Sequence, residues 1–422
     1  MAPNQSAESG IIEELRWRGL IHQATDEAHL ASWLGQAGRT VYAGFDPTAD
    51  SLHVGSLMPL LLLRRFQKFG HRPIALVGGS TGMIGDPSGK SEERNLLSPE
   101  VLAANLRGIE AQMREFLNFE SGPTAAVLVN NFTWMSRFSF LDFLRDVGKH
   151  SPVSVMLAKD SVKARLDRGD GGLSYTEFSY MLLQAYDFVQ LAREFGCELQ
   201  VGGSDQWGNI TAGIDLGRRM LGRQFFGLTC PLLTKSDGSK MGKTEAGAIW
   251  LSPMRTSPYA FYQYWINVAD EDAGTCLRFL TELDRETIES LDRSRLEEPH
   301  LRASQKALAE ELTRMVHREV GLRQALRATE IFFGAEISEL SDQALHEIFA
   351  DVPSQALARA RLAEPGLSVV DALVDAGLFA SKGEARRSIQ QGGAYVNNRR
   401  VENAERYLTR ADLASESVMV LR

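Results

Sequence analysis

Short apolar runs of strand type alternate with longer segments of helical period between about residues 39 and 222, and this alternation restricts the fold most. The candidate strands are residues 40–45, 73–77, 125–130 and 197–201. Such alternation is typical of a parallel sheet covered by helices, because parallel strands need long crossover connections. Glycines follow two of the runs, within residues 78–85 and at 202–203, and open α/β sheets bind ligands at that carboxyl edge. The sequence therefore predicts an α/β domain with its site at the ends of these strands.

After Ser257 and Pro258 the short apolar runs of strand type end, and apolar residues follow a helical period instead. One apolar stripe has the spacing i, i+4, i+7 and i+8, at Leu308, Leu312, Met315 and Val316. Residues 351–366 carry prolines near both ends and little periodicity, which favours a linker. We predict four regions: an α/β domain at 1–249, a helical domain at 250–350, the linker at 351–366, and a small C-terminal domain at 367–422.

Composition limits the possible functions. The chain has 422 residues, of which 44% are hydrophobic and 24% charged, as in ordinary globular proteins. Its net charge of -8 argues against indiscriminate nucleic-acid coating, so RNA contacts should be local. The three cysteines lack C-x-x-C spacing, which indicates neither a disulfide framework nor a cysteine zinc site. The first residues show no signal-peptide pattern, and Leu60–Leu63 is too short to span a bilayer, so we expect a cytoplasmic protein without a membrane segment.

Two short segments carry the strongest chemical signals. In YAGFDPTADSLHVGS, a strand runs through a turn to a helix start, where His53 and Ser56 offer hydrogen-bond donors to an anion. In KSDGSKMGKT, a glycine-punctuated loop carries three lysines, which suits a polyphosphate. Each has a plainer alternative, a capped helix with a structural histidine in the first case and a solvated surface loop in the second.

A third signal lies on the predicted helix of residues 176–195. One stripe of this helix is apolar and should face the core: Phe178, Leu182, Ala185, Val189 and Ala192. Tyr180, Gln184 and Asp187 lie nearly opposite, beside further apolar residues. Three hydrogen-bonding groups in a partly apolar wall suit a small polar ligand with an aromatic ring. A solvated polar face is the alternative.

HVGS and KMGKT, in this order and some 190 residues apart, resemble the paired HIGH and KMSKS signatures of class I aminoacyl-tRNA synthetases. The segments YAGFDPTADSLHVGS, GGSTGMIGDPSGK, TEFSYMLLQAYDF and VGGSDQWGNI are similar to those of bacterial tyrosyl-tRNA synthetases, and the resemblance extends from about Trp17 to the C-terminus. It implies a Rossmann-like catalytic domain, a helical domain on the anticodon side, and an α+β S4-like RNA-binding domain. Among the departures from the signatures, Ser56 replaces a histidine, and Gly242 and Thr244 replace serines.

The resemblance also implies roles for individual residues. The phenol of a tyrosine substrate would contact Tyr42 and Asp187; its ammonium group would contact Asp86, Tyr180 and Gln184; and Gln206 would lie near its carboxylate. The residues implied for ATP are Gly44, Asp46, Thr48, His53, Ser56, Lys90, Arg94, Asp205, Lys240 and Lys243, with Thr244 beside the pyrophosphate. Of these, His53, Ser56, Lys240, Lys243 and Thr244 would act in catalysis.

The implied reaction activates L-tyrosine with ATP and then esterifies the 3′ end of tRNA(Tyr). An ionised carboxylate attacks the α-phosphate, so catalysis needs positioning and charge stabilisation more than acid–base groups. We expect Mg²⁺ to accompany ATP without a dedicated protein metal site. The resemblance also implies a homodimer.

The C-terminal domain reads as two short helices followed by a hairpin. Its predicted RNA-binding residues are basic: Lys382, Arg386, Arg387, Arg399 and Arg400. A small domain with merely solvated arginines is the alternative.

Other identities stay open for the whole chain. Tryptophanyl-tRNA synthetase and a small-molecule nucleotidylyltransferase are the nearest enzymes, and the Tyr42–Asp187 pair and the C-terminal domain argue against both. A catalytically silent, synthetase-like RNA-binding protein is the alternative from another class. His53, Lys240 and Lys243 argue against it.

Overall fold

The computed structural model describes residues 10–86, 98–159, 162–163, 166, 174–244, 247–337, 340–349 and 352–422. The chain divides into two compact units. The first comprises Met1–Arg255 and Ala269–Ser304, and the second comprises Thr256–Val268 and Gln305–Arg422. The region predicted as one helical domain is therefore shared between the units, and the functional division into four regions stays a prediction.

A six-stranded sheet forms the centre of the first unit. Its strands are β1 (Gln23–Ala24), β2 (Thr40–Phe45), β3 (Arg72–Val77), β4 (Val127–Asn130), β5 (Leu199–Gly203) and β6 (Phe226–Cys230). Their order is β1-β6-β5-β2-β3-β4, with every pair parallel except β1 and β6. The chain moves outward from β2 through β3 and β4, then returns to β5 on its other side, which creates a crevice beside β2 at the carboxyl ends. The predicted α/β class with a parallel sheet is confirmed.

Helices connect and flank these strands. They are α1 (Ile11–Trp17), α2 (Glu27–Leu34), α3 (Val54–Lys68), α4 (Thr81–Ile84), α5 (Pro99–Phe116), α6 (Phe132–Met135), α7 (Phe140–Asp146), α8 (Val153–Leu157), α9 (Tyr175–Phe195) and α10 (Trp207–Leu221). A short hairpin, β7 (Lys243–Thr244) with β8 (Gly247–Ala248), follows the lysine loop. Ser174 begins α9 with a capping box, in which its hydroxyl accepts from the Glu177 N–H at 3.2 Å. Ala185, Val189 and Ala192 of α9 are buried in the core, as the apolar stripe predicts.

Two buried arginines attach a further helix to this unit. Helix α12 (Asp270–Leu280) ends where Arg65 donates to the carbonyls of Phe279 at 2.8 Å and Thr281 at 3.0 Å. Arg18 also donates to Thr281 O, at 3.2 Å. Cations are favourable at a helix C-terminus because the last carbonyls lack intrahelical partners. This explains why residues 269–304 belong to the first unit, which also contains α13 (Arg285–Glu297).

The second unit is helical before its small C-terminal part. Its elements include α11 (Pro258–Ile266), most of α14 (Ala303–Phe332), α15 (Asp342–Ile348), β9 (Leu367–Ser368), α16 (Val369–Asp375), α17 (Lys382–Gln391), β10 (Tyr395–Val396), β11 (Arg399–Arg400) and β12 (Tyr407–Leu408). Helix α14 is interrupted at Arg318, where φ is 63° and ψ is 178°. Strands β10 and β11 form the predicted hairpin, and its turn residues Asn397 and Asn398 have positive φ, as tight hairpin turns require.

The end of the helical region shares its core with the C-terminal part. Ile331, Ile337 and Leu345 are buried against Val418 and Val420. The Asn398 amide donates to the carbonyls of Ile331 at 2.8 Å and Ala335 at 2.7 Å, and so satisfies the end of α14. The end of the helical region and the C-terminal part therefore share one apolar core. Within the described ranges, no helix is long and apolar enough to cross a membrane.

Candidate active site

A cavity of about 310 Å³ opens at the carboxyl edge of the sheet beside β2. Its walls come from the ends of β2 and β5, the start of α3, and one face of α9. The following sequence-predicted residues line it: Tyr42, Gly44, Asp46, Thr48, His53, Ser56, Asp86, Tyr180, Gln184, Asp187, Asp205, Gln206 and Lys240. Residues from five separate sequence segments thus meet around one space.

Asp187 lines this cavity and is only 1% exposed. Its carboxylate accepts from Trp134 Nε1 at 2.8 Å and from Asn131 Nδ2 at 3.0 Å. Burial raises the pKa of Asp187 to about 7, against the opposing effect of those two donors. The face of α9 that carries Tyr180 and Asp187 is therefore covered, and the solvated-face alternative is wrong.

The Tyr42 hydroxyl is a second buried polar group in this cavity wall. Tyr42 is 1% exposed, and its hydroxyl has no hydrogen-bond partner among the described residues. Burial, together with the charge of Asp187, raises the pKa of Tyr42 well above its ordinary value, so the phenol is neutral. A buried polar group without a partner is costly, and a polar ligand group would satisfy it.

A chain of hydrogen bonds connects Asp187 through Asn131, Thr81 and Asp46 to Tyr180, on the same helix. Asn131 donates from the same Nδ2 to Thr81 Oγ1 at 3.1 Å, and Thr81 donates to Asp46 Oδ1 at 2.9 Å. The other Asp46 oxygen accepts from the Tyr180 hydroxyl at 2.9 Å. These five side chains orient one another, so the polar groups in the walls are held before any ligand binds.

Glycine is required beside this chain of hydrogen bonds. A Cβ at Gly78 would lie 2.3 Å from both Asp46 Oδ1 and Thr81 Oγ1. The close approach explains why glycine follows β3, as the sequence pattern indicates.

A second polar group lies between α4 and α10. Gln206 Nε2 donates to Asp86 Oδ2 at 2.7 Å, and Gln206 Oε1 accepts from Asn209 Nδ2 at 3.1 Å. Gln184 Nε2 lies 3.4 Å from the same Gln206 oxygen. Carboxylates at Asp46 and Asp86 make this wall acidic, which favours an ammonium group.

His53 caps the N-terminus of α3 and lines the cavity. Its Nδ1 accepts from the Gly55 N–H at 3.0 Å, so the neutral ring carries its proton on Nε2. A Cβ at Gly55 would lie 2.9 Å from His53 Cε1, so glycine permits this ring position. The helix start, with His53, Ser56 and Thr48 on the cavity wall, offers donors to an anion.

The two lysines of the loop lie in different surroundings. Lys240 is exposed and lines the cavity, whereas Lys243 is exposed in β7 and does not line it. Gly242 between them has φ of 81°, and a Cβ there would lie 2.9 Å from Val54 Cβ. Gly242, which stands where the signature has serine, therefore suits both the left-handed backbone and the close contact with α3.

The structure does not cover every predicted residue. Lys90 and Arg94 lie outside the described residues, and the Thr244 side chain is not described. The roles assigned to all of these residues stay predictions.

Sequence reasoning missed Thr81, Asn131, Trp134 and Gln200. Asn131 directly follows β4, and this position at the carboxyl end of a parallel strand is the signal that could have found it. Gln200 lines the cavity from β5, 2% exposed, and its Oε1 lacks a hydrogen-bond partner within the described chain. Trp134 has no such local signal, because its polar contact is made with a residue 53 positions away.

The predicted RNA-binding residues fall on α17 and the adjoining hairpin of the second unit. Lys382 pairs with Asp371 at 2.8 Å, and Arg399 pairs with Glu336. Arg386 and Arg387 are exposed on α17. The Arg400 guanidinium lies against Gly392, where a Cβ would collide with it. RNA binding by these residues stays a prediction.

Comparisons with known proteins agree with this architecture. Residues 36–334 match the family of class I tRNA synthetases for tryptophan and tyrosine, and residues 344–422 match the C-terminal domain of SYY-like tyrosine–tRNA ligases. The chain is 60% identical to a tyrosine–tRNA ligase of Rhodopirellula baltica over 99% of this chain and 95% of that protein. It is 53% identical to one of Roseiflexus castenholzii over 98% of this chain and 96% of that protein.

A solved structure shows the same fold. A C-terminally truncated mitochondrial tyrosyl-tRNA synthetase of Aspergillus nidulans aligns with a TM-score of 0.70 and 30% identity, over 78% of this chain and 96% of that chain.

The parallel sheet, the crevice beside β2 and the two signature segments define a class I aminoacyl-tRNA synthetase. Within that class the C-terminal match separates tyrosine from tryptophan enzymes. The chain belongs to the tyrosine–tRNA ligase family.

Proposed function

We propose that the protein activates L-tyrosine with ATP to tyrosyl-adenylate and pyrophosphate, and then transfers the tyrosyl group to the 3′ end of tRNA(Tyr). One observation carries the proposal. The buried Tyr42 hydroxyl and the Asp187 carboxylate line the same cavity as His53 and Lys240. Its volume of about 310 Å³ and its mixed polar and apolar lining support binding of an aromatic amino acid and a nucleotide.

The part of the cavity lined by Tyr42 and Asp187 would bind the tyrosine phenol. The phenol would donate to Asp187 and accept from Tyr42, so each buried polar group gains a partner. The substrate ammonium would lie against the acidic wall formed by Asp46 and Asp86, where it would contact Asp86, Tyr180 and Gln184. Gln206 would lie near its carboxylate.

ATP would lie along the start of α3, with Asp205 on its ribose. Gly44, Asp46 and Thr48 would line the adenosine and phosphate end. His53 Nε2 and the Ser56 hydroxyl would donate to phosphate oxygens, and Lys240 would neutralise the charge that develops on pyrophosphate. Lys90, Arg94, Lys243 and Thr244 are proposed around the same pyrophosphate. The substrate carboxylate is ionised at neutral pH, so no general base is needed for its attack on the α-phosphate.

Mg²⁺ would arrive with ATP. Among the residues that the structure describes, no three His, Cys, Asp or Glu side chains come together as ion ligands. Mg²⁺ retains water and binds readily to phosphate oxygens, so ATP itself would provide most of its ligands.

Transfer to tRNA would use the second unit for additional affinity. Arg386 and Arg387 present charge on one helix, while the chain as a whole is acidic. A local basic surface on an acidic protein favours docking of a polyanion in one orientation.

We also propose a cytoplasmic homodimer. Between residues 132 and 157, large apolar side chains are exposed at Phe132, Phe140, Leu141, Leu144, Val153, Val155 and Leu157. Exposed apolar residues concentrated in one stretch are typical of a protein interface. In sedimentation velocity, we expect a dimer for the unaltered chain and a monomer for Leu141→Glu.

Tyrosine-dependent exchange between ATP and labelled pyrophosphate tests the activation step, with tryptophan and phenylalanine as competing substrates. We expect exchange with tyrosine, and much less with either of the others. Exchange that depends on tryptophan, or no exchange at all, contradicts the proposal.

A further inference from the structure

Residues 247–251 connect the two signature segments through their backbone. Ile249 N–H donates to the Gly242 carbonyl at 2.8 Å, inside the lysine loop. The Ile249 carbonyl accepts from the Val54 N–H at 2.9 Å, at the start of α3. The Leu251 N–H donates to the Leu52 carbonyl at 2.9 Å. One short segment is therefore bonded both to the loop that carries the lysines and to the helix start that carries His53.

The side chain at the centre of this segment contacts His53. Trp250 and His53 form an isolated antiparallel bridge, and their rings lie edge to face, with 6.0 Å between centroids and 72° between planes. The bond between His53 Nδ1 and Gly55 holds one edge of the imidazole. Contact with the Trp250 indole restricts rotation of the imidazole about its hydrogen bond to Gly55.

Arg255 holds the indole in turn. Its guanidinium carbon lies 4.6 Å from the centroid of the Trp250 ring, and its Nε lies 2.5 Å from Asp50 Oδ1. Cation–π contact and the ion pair connect the indole to the turn that precedes His53. The indole therefore contacts both His53 and Arg255, and Asp50 pairs with Arg255 in turn.

We infer that Trp250 is a positioning residue, which, with Arg255, holds the His53 imidazole toward the ATP phosphates and makes its position depend on the lysine loop. The inference rests on the proposed role of His53 in ATP activation. Trp250 acts through His53 and needs no contact with substrate. A displaced lysine loop shifts residues 247–251, and His53 shifts with them.

Four variants separate this role from general packing. Trp250→Ala removes the indole, Trp250→Phe keeps an aromatic edge, and Arg255→Ala removes the cation. Arg39→Ala is the matched control, because Arg39 lies 4.7 Å from the Trp33 ring and pairs with no residue of the cavity wall.

Pyrophosphate exchange at varied ATP and varied tyrosine gives the readout. We expect Trp250→Ala to lower kcat/KM for ATP about two- to tenfold, the range that an aromatic pair contributes, without changing KM for tyrosine. Trp250→Phe should restore most of the loss. Arg255→Ala should show a smaller loss of the same type, and Arg39→Ala none.

A double-mutant cycle that combines Trp250→Ala with His53→Ala tests whether Trp250 acts through His53. If Trp250 acts through His53, Trp250→Ala causes no further loss when His53 is already alanine. Independent, multiplying losses overturn the inference, as does an equal change in KM for tyrosine. If His53→Ala is itself fully active, the proposed ATP site fails. If His53→Ala is impaired while Trp250→Ala and Arg255→Ala are normal, only the positioning role fails.

Discussion

Individual side chains of the cavity wall differ in burial, and we propose that the buried ones select the substrate while the exposed ones assist the reaction. Asp187 and Tyr42 are almost completely buried, whereas Lys240 is exposed. Buried polar groups penalise a ligand that leaves them without a partner, so they discriminate between substrates. Exposed ammonium groups can follow a charge that develops during reaction. This difference in burial leads to different predictions for the two sets of residues.

Selectivity should respond differently to Tyr42→Phe and Asp187→Asn. Tyr42→Phe removes a hydroxyl without a partner among the described residues, so preference for tyrosine over phenylalanine should fall while the fold stays intact. Asp187→Asn places an amide opposite the donors of Asn131 and Trp134, so it should also lower stability, by about 1–3 kcal/mol. Ratios of kcat/KM for the two amino acids and urea unfolding test this. Unchanged ratios in both variants would mean that the phenol binds elsewhere.

Tyrosine activation should depend on the protonation of Asp187. Its pKa of about 7 means that the carboxyl is partly protonated at neutral pH, and only the carboxylate is a full acceptor for the phenol. We expect kcat/KM for tyrosine to fall as the pH decreases below about 7, approaching tenfold per pH unit. The same limb should be missing from the pH profile of Asp187→Asn. A profile that is flat between pH 5 and 8 in the unaltered protein contradicts the assignment.

Lys240→Ala and Lys243→Ala should affect rate more than tyrosine binding. Both ammonium groups are proposed to act on charge present in the transition state, so their loss should lower kcat by about a hundredfold. Single-turnover adenylate formation and equilibrium tyrosine binding separate the two effects. Lys235→Ala, in the same loop but at a position to which no role at the pyrophosphate is assigned, is the control. Normal activation in both variants rules out the assigned roles.

At the level of helices and strands, residue periodicity predicted the elements whose own sequence determines their structure. Strand β2 is observed over the predicted residues 40–45, and α9 begins one residue before its predicted start. Strand β1 was missed because it has only two residues and exists through pairing with β6. The bonds from Asp187 to Asn131 and Trp134 span 56 and 53 residues, so no local pattern contains them. Helix periodicity therefore predicted Tyr180, Gln184 and Asp187, which line the cavity, but not Asn131 and Trp134, which hold Asp187.

Helix α14 contains a strained residue that can be tested by substitution. Arg318 has φ of 63° and ψ of 178°, a region that is nearly restricted to glycine and costs about 1–3 kcal/mol for other residues. We expect Arg318→Gly to raise the free energy of unfolding by about 1 kcal/mol, since the relief of strain exceeds the added chain entropy of glycine. Chemical unfolding measures the change.

The control is Arg323→Gly, at an exposed position with regular helical geometry in the same helix. This variant should lose about 1 kcal/mol. Equal destabilisation by both glycine variants would show that Arg318 carries no strain.

Across the whole molecule, every described residue assigned to tyrosine or ATP lies in the first unit, and the predicted RNA-binding residues lie in the second. A chain truncated near Val352 should therefore still form tyrosyl-adenylate but charge tRNA poorly. The truncation also exposes Ile331, Ile337 and Leu345. Each apolar side chain that becomes exposed lowers the free energy of unfolding by about 1.5–3 kcal/mol. The remaining helical part should unfold at lower temperature, as calorimetry would detect.

The double variant Arg386→Ala with Arg387→Ala separates these effects, because it removes charge while leaving that core covered. It should bind tRNA more weakly and unfold at the normal temperature. The slope of log K for tRNA binding against log salt concentration should decrease in magnitude by about one for each lost phosphate contact. If this variant charges tRNA normally while the truncated chain does not, the C-terminal part acts through structure and not through these arginines.

The hydrogen bonds that run from Asp187 through Asn131, Thr81 and Asp46 to Tyr180 have a consequence for altering substrate choice. The two ends of the amino-acid pocket share one set of donors and acceptors, so a new residue at either end disturbs the other. A library that varies only the residues proposed to contact the phenol would mostly give pockets in which buried amides and hydroxyls lack hydrogen-bond partners. To accept a different amino acid, the pocket has to be redesigned as a single unit, with position 131 changed together with position 187.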